Sequence, residues 1–193
     1  MKIILASNSP RRKELLSAEG FCFEVKVSDY EETAFSLDPI KTATTFSIGK
    51  AQSTFDSLSV KENVVVLGSD TVVFLDGKIL GKPKDEGEAR QMLASLSGKT
   101  HSVVSGYALV HSGEIISGYD KTEVTFNPLT NDMIDEYIES GLYKGKAGSY
   151  GIQDGYNLVK SYEGSLNNVI GLPTEKITPI LKKLLKIRLC PKP

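Results

Sequence analysis

Two short stretches hold side chains that could do phosphate chemistry. The first is Ser7-Asn8-Ser9-Pro10-Arg11-Arg12. Ser9 followed by Pro10 is a helix-start signal, and it puts both arginines in the first turn. An arginine beside the positive end of the helix dipole costs on the order of a few tenths of a kcal/mol. That cost disappears if a polyanion docks at the same place, since free N–H groups, serine hydroxyls and guanidinium forks together make a phosphate site. Arginines pointing into solvent are the plainer alternative. The chain has no Gly-x-x-x-x-Gly-Lys-Ser/Thr loop, so such a site would not be of the Walker type. The second stretch is Val64-Val65-Val66-Leu67-Gly68-Ser69-Asp70-Thr71. Four apolar residues read as a strand buried on both faces, running into a carboxylate and hydroxyls. Asp70 would then sit at the carboxyl end of a central strand, where open α/β sheets bind ligands. The alternative is a turn in which Asp70 caps its own backbone.

Other segments offer complementary groups. Lys50, Lys82 and Lys146 are cations from three separate places, with Lys82 held between Gly81 and Pro83. Each alone reads as a solvated lysine. Together with the arginines they could neutralise a triphosphate. Glu31, Glu32 and Asp70 are hard oxygen ligands of the kind magnesium takes in phosphoryl chemistry. A metal and basic groups would spread charge off a phosphate while one carboxylate takes a proton from water. A solvated acidic loop is the plainer reading of Glu31-Glu32. Gln153 offers an amide that donates and accepts at once, which suits the edge of a nucleobase.

The elements that must position these groups alternate between strand and helix signals. Residues 2–6 read as a short buried strand. Ser9 caps a helix with Leu15, Leu16 and Ala18 inward, ended by Gly20. A strand is expected over 21–27. A second helix starts at Asp38-Pro39 with Ile40, Thr44, Ile48, Ala51 and Phe55 at helical spacing and Lys50 on the flank. Asp76-Gly77 predicts a two-residue hairpin turn. Asp85, with Glu88 three residues on, caps a third helix with Ala89, Met92, Leu93 and Leu96 inward. Long strands over 100–110 and 114–126 meet at Ser112-Gly113. Thr130 caps a fourth helix with Ile134, Tyr137 and Ile138 inward. A glycine-rich loop over 142–155 holds Lys146 and Gln153. A strand over 156–162, a loop over 164–173 and a last helix follow, with Pro179 either kinking that helix or starting it. The expected architecture is α/β: a mixed central sheet flanked by helices, waisted into two lobes.

With 193 residues, 40% of them hydrophobic and 24% charged, the chain fits one large domain with a proper core. A net charge of −1 gives no global field toward nucleic acid or an acidic membrane, so an anion site must be local. Cys22 and Cys190 have no metal or disulfide spacing and read as free thiols, which suits a reducing cytoplasm. The apolar run after Met1 is too short for a signal-peptide core or a membrane span. His101 and His111 are too few for a zinc site and read as structural or solvated.

In combination these segments resemble the Maf (septum formation) family of nucleotide pyrophosphatases. The matching pieces are Ser7-Asn8-Ser9-Pro10-Arg11-Arg12-Lys13-Glu14-Leu15-Leu16, Gly68-Ser69-Asp70-Thr71, Gly81-Lys82-Pro83, Leu96-Ser97-Gly98-Lys99-Thr100-His101-Ser102-Val103, Lys146-Ala147-Gly148-Ser149-Tyr150-Gly151-Ile152-Gln153 and Val169-Ile170-Gly171-Leu172-Pro173. Six pieces in order over nearly the whole chain are specific where one is not. The resemblance implies an elongated, two-lobed single domain over 1–193, similar to the inosine-triphosphate pyrophosphatases and often a homodimer. It implies hydrolysis of a nucleoside triphosphate to the monophosphate and pyrophosphate with a divalent cation, Mg2+ or Mn2+. By position, Asp70 looks like the proton acceptor, and Arg12, Thr71 and Gln153 look like the residues that set substrate choice. Ser7, Arg11, Lys50, Lys82 and Lys146 look like phosphate contacts. Glu31 or Glu32, with Asp70, looks like a metal ligand. The set resembles the dTTP/UTP branch rather than the branch acting on 7-methyl-GTP, which implies house-cleaning of the nucleotide pool, modified pyrimidine triphosphates included. One position departs: where the branch commonly carries an acid before the lysine, this chain has Gly145. That departure keeps a nucleotide-binding regulator of septum formation with little turnover as the alternative. A purine (inosine/xanthosine) triphosphatase on a similar fold is the second rival.

Overall fold

The computed structural model describes residues 1–33 and 36–186. Cys190 lies outside the described residues. Strand β1 (Lys2–Leu5) lies parallel between β2 (Phe23–Val25) and β3 (Val64–Leu75). Beyond β3 the sheet turns antiparallel through β5 (Thr100–His111), β6 (Glu114–Phe126) and β7 (Val159–Glu163). The short β4 (Lys78–Leu80) folds back on the far half of β3 through Asp76-Gly77. Both turn residues have positive φ, 49° and 79°, as a primed hairpin turn requires.

The central strand does not stop at Asp70 as the sequence predicts. It runs on to Leu75 as one strand, because β5 pairs with it residue by residue from Val65 to Phe74. A polar triplet does not end a strand whose ladder is already provided by a neighbour. The opposite edge of β3 is different. There β1 covers 64–67 and β4 covers 73–75. No strand among the described residues pairs with 68–72 on that edge, and Asp70 lies at its middle. The opening lies just past the last pairing of parallel β1, which is where an α/β sheet leaves room for a ligand.

Successive residues of β3 face opposite layers. Val65 and Leu67 pack with Leu16 of α1 (Pro10–Ala18) and with Ile177 and Leu181 of α6 (Thr174–Leu184). Val64 and Val66 pack against Ala51 and Phe55 of α2 (Pro39–Asp56). The second half of the sheet buries a separate cluster under α3 (Glu86–Leu96) and α4 (Asn131–Glu139), with Leu93, Leu96, Phe126, Ile134 and Tyr137 at its centre. The caps form as expected: Ser9, Asp38, Asp85 and Thr130 each accept a backbone N–H from the first turn of their helix.

Several boundaries and one helix face depart from the expectations. β2 is only Phe23–Val25, β7 begins at Val159, and Ala18 is exposed. The buried face of α2 is Ala43, Phe46, Ser47, Ala51 and Phe55, with Ile40, Thr44 and Ile48 only flanking it. The reason is close approach. A Cβ on Gly68 would collide with the Ser47 carbonyl, and one on Gly106 with that of Ala43. The helix backbone thus lies directly on the sheet at these two glycines, where the small Ala43, Ser47 and Ala51 meet it. Within the expected loop 164–173 lies a short helix, α5 (Leu166–Ile170), capped by Ser165. Five residues are too few for a helical periodicity to register. Helix α6 starts at Thr174 and keeps Pro179 inside it. No helix among the described residues is long and apolar enough to cross a membrane.

Candidate active site

A cleft of about 490 Å³ opens at the unpaired stretch of β3. Its groups come from both faces of that strand. On the α2 face, Asp70 points at Lys50, whose Nζ lies 2.5 Å from Asp70 Oδ1 and 2.7 Å from Glu32 Oε1. The close seating of α2 on Gly68 is what brings Lys50 within reach. The lysine and aspartate side chains are only 12% and 6% exposed, so these charges interact with little water between them. Lys82 approaches Glu32 Oε1 at 3.9 Å from an exposed position. Burial alone would raise the Glu32 carboxyl. The hydrogen bond from Lys50 and the charges of Lys50, Lys82 and Arg12 outweigh it, and the group titrates below its usual range.

On the other face, Thr71 meets Arg12. The guanidinium does not point into solvent. Its Nε donates to the Gly171 carbonyl at 2.8 Å, Nη2 to Thr71 Oγ1 at 3.2 Å and Nη1 to Ser7 Oγ at 3.3 Å. Burial draws Arg12 below its ordinary pKa, and the charge of Asp70 works against that. Ser69 Oγ also donates to the Gly171 carbonyl, at 3.2 Å. The Gly171 turn is fixed in place by Asn168 of α5. Asn168 accepts from the Ser105 N–H at 3.1 Å and donates to the Val103 carbonyl at 3.0 Å. Thr71 Oγ1 and Ser105 Oγ share a further hydrogen bond of 2.8 Å.

The third wall is the glycine-rich segment after α4, which brings Lys144, Gly145, Lys146, Tyr150 and Gln153 to the cleft. Lys146 is buried and donates to the Asp154 carboxylate. Burial lowers its pKa and the Asp154 hydrogen bond opposes this. The Tyr150 hydroxyl meets His101 Nε2 at 2.7 Å, and the two rings pack edge-on against each other and against Phe126. Burial pushes His101 down to about 4, so it is a neutral structural ring. Gly145 has φ +69°, a left-handed conformation in which an acid would be strained.

Ser7, Arg11, Arg12, Glu32, Lys50, Asp70, Thr71, Lys82, Lys146 and Gln153 all line this one cleft. Glu31 does not. Its side chain is exposed and outside the lining, a correction to its expected place as an alternative metal ligand. Of the two, Glu32 reaches the cleft, where it pairs with Lys50. Sequence reasoning missed Asp154 as the partner of Lys146 and Gly171 as the acceptor for Arg12. An acid one residue past Gln153 was the available signal for the first. Nothing local signals a carbonyl acceptor 159 residues from its arginine. Among the described residues no group of three or more His, Cys, Asp or Glu side chains is placed to hold a metal. Glu32 and Asp70 do converge on a single cation, the Lys50 ammonium. Two carboxylates completed by phosphate oxygens are a donor set that suits magnesium or manganese.

This combination of a mixed α/β sheet and a cation-lined cleft at the edge of its central strand agrees with the family comparison. A family model described as Maf-like protein matches residues 2–184, and the chain belongs to that family. The chain is 42% identical over 190 residues to a dTTP/UTP pyrophosphatase of Pyrococcus abyssi, covering 96% of this chain and 98% of that one. It is 45% identical over 185 residues to a dTTP/UTP pyrophosphatase of Bacillus mycoides, covering 94% and 95%. Among solved structures, a HAM1 protein from Coxiella burnetii is similar in fold, with TM-score 0.50, 15% identity and coverage of 95% and 99%.

Proposed function

We propose that this protein hydrolyses dTTP and UTP to the nucleoside monophosphate and pyrophosphate. The observation that carries this reading is the meeting of Asp70 and the cationic first turn of α1 in one cleft. The names of the full-length relatives supply the substrate class. In the reaction, water attacks the α-phosphorus and Asp70 takes its proton. The bond from the α-phosphorus to the bridging oxygen breaks, and pyrophosphate leaves with the electron pair. Arg11 and Lys82 receive the growing negative charge, with the α1 N-terminus and Ser7, while Lys146 holds the triphosphate equally in the ground state and the transition state. Arg12, locked to Thr71 and Gly171, and Gln153 across the cleft discriminate the nucleotide.

Glu32 and Asp70 would hold a magnesium or manganese ion, which when bound would spread the charge of the triphosphate. Lys50 keeps these two carboxylates together. The reading places the protein in the cytoplasm, in house-cleaning of pyrimidine triphosphates, modified ones included, and as a homodimer. Ile115 and Tyr119, exposed on the same side of β6, give such a dimer an apolar surface to use.

The test is a panel of nucleoside triphosphates with magnesium or manganese, assayed for pyrophosphate. Release from dTTP and UTP at the highest kcat/KM is expected. Faster turnover of inosine or xanthosine triphosphate would make it a purine enzyme instead. Tight binding with no pyrophosphate from any of them would make it a nucleotide-binding regulator.

A further inference from the structure

Of the cleft lysines that loops supply, Lys146 is buried, whereas Lys82 and Lys144 are exposed. An ammonium on a loop, buried and facing another cation, has no reason to stay in place unless a counter-charge holds it. The position before it, an acid in the pattern the chain otherwise resembles, is Gly145 and offers none. The carboxylate comes instead from Asp154, eight residues further along. Lys146 and Asp154 are 8% and 7% exposed at their side chains, so the pair is shielded from solvent and from salt.

Asp154 is itself fixed from three sides. Its backbone N–H donates to the Gly151 carbonyl at 3.1 Å and closes a four-residue turn. The Tyr137 hydroxyl donates to Asp154 Oδ2 at 2.5 Å and accepts from the Gly151 N–H at 3.1 Å. A Cβ on Gly151 would sit 2.6 Å from both carboxylate oxygens, so the carboxylate packs directly on that glycine. The turn so anchored also carries Gln153 into the cleft. An ammonium has three N–H donors. With one spent on Asp154, two remain for oxygens in the cleft.

We infer that Asp154 is a positioning residue: it holds the Lys146 ammonium toward the cleft and supplies the counter-charge that Gly145 cannot. It touches no substrate and acts through Lys146. Arg11, on the facing helix turn, benefits as well, since the Asp154 charge opposes the effect of its burial. The inference rests on the proposed reading of the cleft as a triphosphate site.

The experiment compares steady-state turnover of dTTP by four full-length variants. For Asp154→Asn, KM should rise about thirtyfold while kcat falls less than about threefold, as expected when a buried charge pair that serves binding is broken. Asp154→Glu keeps the charge one methylene further out. It should lie between, with KM raised about threefold and kcat at the wild-type value. Lys146→Gln should match Asp154→Asn, and the double variant should be no worse than Lys146→Gln alone, because one residue works through the other. Losses that multiply in the double variant overturn the inference, as does a wild-type KM in Asp154→Glu or Asp154→Asn. Should Asp154→Asn not fold, Asp154→Glu decides. If the wild-type protein itself releases no pyrophosphate from any triphosphate, the enzymatic reading fails and the inference goes with it. If the wild type turns over dTTP and the Asp154 variants keep its KM, only the inference fails.

Discussion

Lys50 and Lys146 each hold a carboxylate at the edge of the same cleft, but regular elements position the first pair and a loop positions the second. Lys50 stands on an 18-residue helix seated against the sheet, and Asp70 on a strand paired from Val65 to Phe74. Neither needs the other to stay in place. Their contact is free to serve chemistry, with Glu32 added as a second acid. Lys146 and Asp154 lie eight residues apart on one segment, whose shape depends on their pairing and on the Tyr137 and His101 contacts beneath it. The same kind of ion pair is thus a working part on one wall and a structural tie on the other. Removing a charge from the first wall should cost activity and leave the fold standing. Removing one from the second should cost both.

The sharpest break between the walls is Asp70→Asn. Turnover of dTTP should fall about a thousandfold, within the range for a lost general base, while nucleotide binding and melting temperature stay near the wild type. Undiminished pyrophosphate release would remove Asp70 from its role. Lys146→Met probes the other wall. It strands a buried carboxylate and should lower unfolding free energy by about 3 kcal/mol, read by urea denaturation, besides weakening binding. Equal stability in this variant and the wild type would erase the contrast.

His101 tests the same wall through pH. Its pKa is about 4 in the fold against 6.5 in the unfolded chain, so between those values the unfolded state binds the extra proton. Stability is therefore intact above pH 6.5 and falls as pH drops toward 4, by about 3 kcal/mol over the window. His101→Phe should flatten that decline, checked by denaturation midpoints at pH 7 and pH 5. The smallest effect belongs to the seating of α2. Gly68→Ala should cost about 2 kcal/mol by overpacking. By lifting Lys50 from Asp70 it should slow turnover more than its stability loss explains.

The first wall was largely legible in the sequence. Its groups ride on elements with strong local signals: Ser9-Pro10 for α1, Asp38-Pro39 for α2 and the Val64–Leu67 run for β3. The second wall was legible only as a cluster of residue types. Lys146 and Gln153 stood out, but the pairing with Asp154 depends on a turn whose closure no periodicity encodes. Glu31 and Glu32 could not be told apart, because which of two adjacent acids faces inward is set by the path of the segment. The buried stripe of α2 was misplaced for a related reason. Ala51 and Phe55 are buried as expected, but apolarity favours Ile40 and Ile48 where the close contact with Gly68 and Gly106 instead turns Ala43 and Ser47 to the sheet.

Residue order alone determined the succession of strands and helices apart from the short α5, together with the caps, the hairpins and the family pattern, because each of these depends on neighbours within a few positions. Tertiary structure alone decided that β5 would carry β3 past Asp70 and that β1 and β4 would leave residues 68–72 open between them. It also decided that Arg12 would find its acceptor at Gly171. Those outcomes are set by pairing and packing between segments far apart in the chain, where a residue's own neighbours say nothing about what it will meet.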